Sequence, residues 1–155
     1  MELLLVRHAK AEPYATSDAA RALTEKGRDQ AAKVGVFLSK QGLVPDVTLA
    51  SPLLRARETA EILCNAAAAE SPVIEPWLAC GMRPSSAMKE LAAYSNFQRV
   101  AIVGHNPDFE YLAEWMLGGQ AGGFHVGKAS VIHFSNVRPP SQGAYLEMMV
   151  PCVAM

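Results

Sequence analysis

The sequence predicts an α/β fold, a three-layer α/β/α sandwich on a mainly parallel sheet. Short apolar runs alternate with segments of helical period along the 155 residues. Three of those runs, 3–6, 47–50 and 100–103, are each followed by a helical segment, which is how parallel strands are connected. Each of the three also ends in arginine, histidine or serine, and open α/β sheets bind ligands beyond the carboxyl ends of their strands.

In order, residues 3–6 (LLLV) read as a buried strand that stops at Arg7-His8. Residues 9–23 have no period and contain Pro13, Thr16, Ser17 and Asp18, so they read as a loop. Thr24 is placed as a helix N-cap with Glu25 in the first turn. Ala31, Val34 and Leu38 recur at helical spacing, and Gly42 stops the helix. Gly27 is an unfavourable residue inside it. Residues 47–50 form a second strand. Ser51-Pro52 then reads as an N-cap with proline at the first helical position. That helix carries Leu54, Ile62 and Leu63 on one side, with Arg55 and Arg57 in its first two turns. Residues 72–74 offer a strand, 85–94 a helix, and 100–103 a strand ending at Gly104-His105. Asn106-Pro107 opens a helix bearing Phe109, Leu112, Trp115 and Met116, and strands near 131–134 and 145–150 finish the chain.

Bulk properties narrow the function. The length fits one domain over residues 1–155, and 50% hydrophobic with 19% charged residues is an ordinary globular balance. A formal net charge of −1 gives no overall attraction to nucleic acid or anionic membranes, so neither is expected as a partner. The first apolar run is too short for a signal segment, and none approaches the ~20 residues of a membrane span. A cytoplasmic protein is expected. Cys64, Cys80 and Cys152 are odd in number and widely spaced, so they read as small buried residues, not a disulfide framework or zinc site.

Arg7 and Arg55 offer planar, permanently charged donors that match a phosphoryl group bidentately. The helix N-termini after Ser51 and Pro107 add dipoles suited to an anion. A neutral histidine, of His8 and His105, can attack phosphorus and form a phosphohistidine. The other, protonated, is expected to stabilise the equatorial oxygens with the arginines. No acidic cluster with metal-ligand spacing accompanies them, so no metal or other cofactor is expected. Singly, these residues read as a surface Arg-His pair, a turn histidine and a solvated helix face. Their occurrence at three equivalent strand ends carries the case.

At these residues the chain resembles the histidine phosphatase superfamily. LLLVRHAKAE is similar to its R-H-G strand, LTEKGRDQA to its L-T-x-x-G-x-x-Q-A helix, SPLLRARETAE to its S-x-x-x-R-A-x-x-T segment, and VAIVGHNPD to the strand of the second histidine. With Lys128 to Ser130 (K-A-S) and the closing V-P-C, nearly the whole chain resembles the small branch typified by SixA, whose members are protein phosphohistidine phosphatases. The resemblance implies a phosphoglycerate mutase-like fold, His8 as nucleophile, and Arg7, Arg55 and His105 as the rest of the phosphate pocket. Ala9 departs from the signature glycine. Asn106 stands where acid phosphatases carry an Asp acid, and no general acid is assigned; Glu12, Asp18 and Glu75 are candidates. Lys10, Arg21 and Asn106 are candidate substrate-binding residues. A site without an obvious acid suits P–N bonds better than P–O bonds, because a leaving imidazole is far less basic than an alkoxide. The expected partner is a phosphorylated protein, with a histidine phosphotransfer domain as one candidate, or a small phosphate. Two alternatives stand: a sugar or nucleotide-related phosphomonoesterase, and a non-catalytic phosphate-binding module. A mutase fits least, since the short chain offers little to build a lid.

Overall fold

The computed structural model describes residues 1–119 and 122–155. In chain order the elements are β1 (Glu2–Arg7), α1 (Glu25–Lys40), β2 (Val47–Ala50), α2 (Leu54–Ala67), β3 (Val73–Ile74), α3 (Pro84–Leu91), β4 (Arg99–Gly104), α4 (Asp108–Met116), β5 (Val131–Ser135) and β6 (Tyr145–Val150). The strands form one sheet in the order β3-β2-β4-β1-β5-β6. Its first four strands are mutually parallel, and β5 runs antiparallel to both β1 and β6.

The alternation of side chains along β1 explains the three layers. Leu3 and Leu5 join one core with Ile102, Met88, Leu91, Phe109 and Leu112, which places α3 and α4 on that face. Leu4 and Val6 join the other with Val103, Val34, Leu38, Ala60 and Leu63, which places α1 and α2 opposite. A strand covered on both faces has no polar side to show, hence the unbroken LLLV.

Helix α1 begins as expected. The Thr24 hydroxyl accepts the Gly27 N–H at 3.0 Å, and Gly42 follows the helix at φ +67°. The structure supplies the reason for Gly27. A Cβ there would stand 2.0 Å from the Lys10 carbonyl oxygen. The loop after β1 therefore lies against the first turn of α1, where the Thr24 N–H donates to that same oxygen at 3.0 Å.

Helix α2 differs from the expectation. It starts at Leu54, with Leu53 as an N-cap that makes no side-chain hydrogen bond. Ser51 lies further back and is used elsewhere. The buried face carries Arg55, Ala56, Thr59, Ala60, Leu63 and Cys64, while Leu54 and Ile62 stay half-exposed. Small residues win this face because α1 and α2 approach closely: a Cβ on Gly35 would meet the Leu63 carbonyl oxygen at 2.4 Å. The helix expected over 85–94 is α3 followed by one 3-10 turn, Ala92–Tyr94. Cys64 and Cys152 are buried as expected, but Cys80 is exposed. Among the described residues, no helix is long and apolar enough to cross a membrane.

Candidate active site

Strand register brings the predicted residues together. Arg7 pairs with Gly104 across β1 and β4, and Ala50 pairs with Val103 across β2 and β4. The residues that follow are therefore neighbours at one end of the sheet. The His8 N–H donates to the Gly104 carbonyl at 2.9 Å, and the Ser51 N–H to the Val103 carbonyl at 3.0 Å. The rings of His8 and His105 lie 5.2 Å apart, tilted by 55°.

His8 Nδ1 is 2.8 Å from the Ala9 carbonyl oxygen. That oxygen can only accept, so Nδ1 holds the ring proton and Nε2 keeps a free lone pair. His8 retains 8% exposure, so the ring is sheltered but not sealed. The Ala9 methyl, where a glycine was the pattern, is packed in the core beside Val6 and Ala56. The Ala9 N–H donates to Thr59 Oγ1 at 3.1 Å, and the Thr59 hydroxyl donates to the Arg55 carbonyl at 2.6 Å. Thr59 thus links the loop after His8 to the helix that carries Arg55.

Both arginines are held by chain segments distant in sequence. Arg7 Nη1 donates to the Val126 carbonyl at 2.7 Å, while its Nε is buried without a partner among the described residues. Arg55 is buried, and it donates from Nη1 to the Asp18 carbonyl at 2.8 Å and from Nη2 to Asp18 Oδ2 at 3.1 Å. Asp18 Oδ1 also accepts from Arg21 Nη1 at 2.9 Å. His105 Nε2 lies 2.7 Å from Ser51 Oγ, and His105 Nδ1 is buried without a partner among the described residues.

Burial pushes the His8 ring down to about 3, against the hydrogen bond it donates to the Ala9 carbonyl, with help from His105, Arg55 and Arg7. Burial pushes His105 down to about 4, aided by Arg55 and Arg7 and opposed by Asp18. A protonated second histidine is the expectation from sequence, whereas burial and the arginines favour the neutral form of both rings. Hydrogen bonds from Arg21 and Arg55 hold the Asp18 carboxyl below its usual range, so it stands as a carboxylate, not as an acid. Burial lowers Lys128, and the charges of Arg7, Arg21 and Lys10 lower it further, which places its ammonium in the same cationic field.

The remaining predicted residues divide. Arg21 faces Asp18 and donates from Nε to the Glu12 carbonyl at 2.7 Å. Lys10 is exposed beside the N-terminal turn of α1. Asn106 spends its amide on Glu110 Oε1 at 2.6 Å and on the Val126 carbonyl at 2.8 Å, so its donors hold the loop that holds Arg7. Glu75 receives the Tyr94 hydroxyl, and the Glu12 side chain is exposed. Sequence reasoning gave no role to Thr59, although it is the T of the S-x-x-x-R-A-x-x-T segment, and it missed Val126 and the contact of Ser51 with His105. Thr59 had a readable signal, since it follows Arg55 by four positions and shares its helix face. Among the described residues, no group of three or more His, Cys, Asp or Glu is gathered to hold a metal ion.

Residues 3–78 match the family model of the histidine phosphatase superfamily (branch 1). A protein of Picosynechococcus sp., itself uncharacterized, is 36% identical over 141 residues, covering 85% of this chain and 83% of that one. This chain belongs to the histidine phosphatase superfamily. The mitochondrial serine/threonine-protein phosphatase Pgam5 of Drosophila ananassae is 44% identical over 61 residues, which is 39% of this chain and only 21% of that protein. Among solved structures, the protein histidine phosphatase SixA complexed with tungstate superposes with a TM-score of 0.88 at 22% identity, over 99% of this chain and 98% of that one. The candidate phosphohistidine phosphatase SixA of Agrobacterium tumefaciens gives 0.81 at 25% identity, over 96% and 97%. The alpha-ribazole phosphatase of Shigella flexneri gives 0.75 at 19%, over 98% and 97%. The fold of this histidine phosphatase is thus that of SixA structures, and the same fold serves small-molecule phosphatases.

Proposed function

We propose that this protein is a phosphohistidine phosphatase that needs no metal and works through a phosphohistidine on His8. The observation that carries the reading is the His8 ring. Its Nδ1 proton is fixed on the Ala9 carbonyl at 2.8 Å, so Nε2 presents a lone pair beside Arg7, Arg55 and His105. Because the ring stays neutral down to about pH 3, the nucleophile is ready at any physiological pH.

Nε2 forms the bond to phosphorus as the bond to the leaving imidazole breaks. The two guanidinium groups balance charge on the equatorial oxygens. Water then attacks phosphorus, orthophosphate leaves, and the electron pair returns to Nε2. The proton of the water goes to phosphate and solvent. Asp18 stands ionised between Arg21 and Arg55, so it has no proton to give an alkoxide. A phosphohistidine leaving group carries its own proton, and that favours P–N over P–O substrates. A phosphorylated protein partner follows from the same reading, with Lys10, Arg21 and Lys128 as the cationic rim that meets it.

A small phosphomonoester is the second reading, favoured by the likeness to alpha-ribazole phosphatase. Turnover of a phosphohistidine protein, a sugar phosphate and an aryl phosphate, measured side by side, separates the two. The phosphohistidine protein is expected to be hydrolysed fastest. Faster cleavage of the sugar phosphate overturns the first reading.

A further inference from the structure

We infer that Ser51 is a positioning residue that fixes His105 as the neutral Nδ1–H tautomer, so that His105 meets the phosphoryl group as a hydrogen-bond donor without being a cation. A count of protons at the Ser51 hydroxyl selects the tautomer. Ser51 is fully buried, and its hydroxyl has one proton and two lone pairs. One lone pair accepts the Leu53 N–H at 3.3 Å. Among the described residues the other contact of the hydroxyl is His105 Nε2, at 2.7 Å. If Nε2 carried the ring proton, the hydroxyl would only accept, and its own proton would be buried with no acceptor. If the hydroxyl donates to Nε2, that proton is used and the ring proton moves to Nδ1. His105 Nδ1 is buried and has no partner among the described residues. A donor left over in such a place is unfavourable until an acceptor arrives. A phosphoryl oxygen between the two histidines supplies one.

The arrangement resolves a conflict in the electrostatics. Burial and two nearby arginines make an imidazolium at position 105 costly. A neutral ring that donates gives part of the same stabilisation without adding a third cation. The mirror relation with His8 is direct. There a backbone carbonyl holds the proton on Nδ1 and leaves Nε2 to attack. At His105 a hydroxyl holds the lone pair of Nε2 and leaves Nδ1–H to donate.

The consequence for phosphate binding rests on the phosphatase reading, but the tautomer does not, and the test keeps them apart. Histidine ¹⁵N chemical shifts are recorded at pH 7 on the wild-type protein, with His105 assigned by its loss in His105→Asn. The expected result is a protonated Nδ1 and an unprotonated Nε2 at His105. A protonated Nε2 overturns the inference, whatever the enzyme hydrolyses. In Ser51→Ala, inorganic phosphate is expected to bind about tenfold more weakly at pH 7, and the defect should shrink towards pH 4, where an imidazolium carries both protons regardless of Ser51. A defect of constant size across that range also overturns it.

Discussion

The two ends of the sheet use the same residue types for opposite purposes. At the amino ends of β1 and β4, Arg99 donates from Nε to Glu2 and from Nη1 to the Gly42 carbonyl at 2.9 Å and the Val44 carbonyl at 3.2 Å. Its backbone N–H is taken by Asp46 Oδ2 at 2.7 Å, and His133 Nε2 lies 3.4 Å from Glu2 Oε2. Guanidinium and carboxylate balance there, and the buried His133 Nε2 makes no hydrogen bond among the described residues. At the carboxyl ends, Arg7, Arg55, Arg21, Lys10 and Lys128 converge, while Asp18 is the carboxylate paired with Arg21 and Arg55. Arg7 Nε and His105 Nδ1 have no partner among the described residues. An arginine beside a histidine is therefore structural where the charge closes, and points to chemistry where it stays open.

The largest expected effect breaks the chemistry of the open end alone. His8→Ala should lower turnover by at least about 10³-fold and abolish an acid-labile phosphoenzyme, with the circular dichroism unchanged. Phosphoenzyme that survives in this variant would place the nucleophile elsewhere. Next comes a reciprocal pair. Arg55→Ala should cost about 10²-fold to 10³-fold in turnover with little change in Tm. Arg99→Ala should leave turnover near wild type while lowering stability by about 1–2 kcal/mol in urea titrations, a partly exposed pair being worth less than a sealed one. If both variants lost activity alike, the contrast between the ends would be lost.

The third test is pH. His8 and His105 are depressed in the folded state to about 3 and about 4. The unfolded chain therefore binds more protons below its ordinary histidine pKa of about 6.5. Stability from keeping these rings neutral is complete above that value and is lost as pH falls through 6.5 towards 4 and 3. Acid titration of Tm should show this slope, and His8→Ala should flatten it. The smallest effect is at the rim. Lys10→Ala should weaken a protein substrate by about threefold at low salt and less as salt rises. An effect that ignores ionic strength would remove Lys10 from any steering role.

Much of this was legible in the sequence, and for physical reasons. The LLLV run, the Thr24 cap and the strand-end positions of His8 and His105 are local, and local pattern records them. Ser51 misled because Ser-Pro is a strong capping signal, yet the hydroxyl found a partner across the sheet at His105. The protonation of His105 was not readable either. It depends on how deeply the ring is buried and on two arginines brought in by folding. Asp18 sat in a loop without period, and nothing in its neighbourhood announced that it would meet Arg55, 37 positions away.

The grip of Val126 on Arg7 has a consequence for how the protein is made. The four residues of the pocket are complete once His105 has been translated. The carbonyl that orients Arg7, the Ala129 N–H that donates to the Arg7 carbonyl, and the strand β5 that flanks β1 are all synthesised later. A nascent chain that carries these four residues therefore still lacks the contacts that orient Arg7 and flank β1. Those contacts form only when the last third of the polypeptide leaves the ribosome and closes on the first strand.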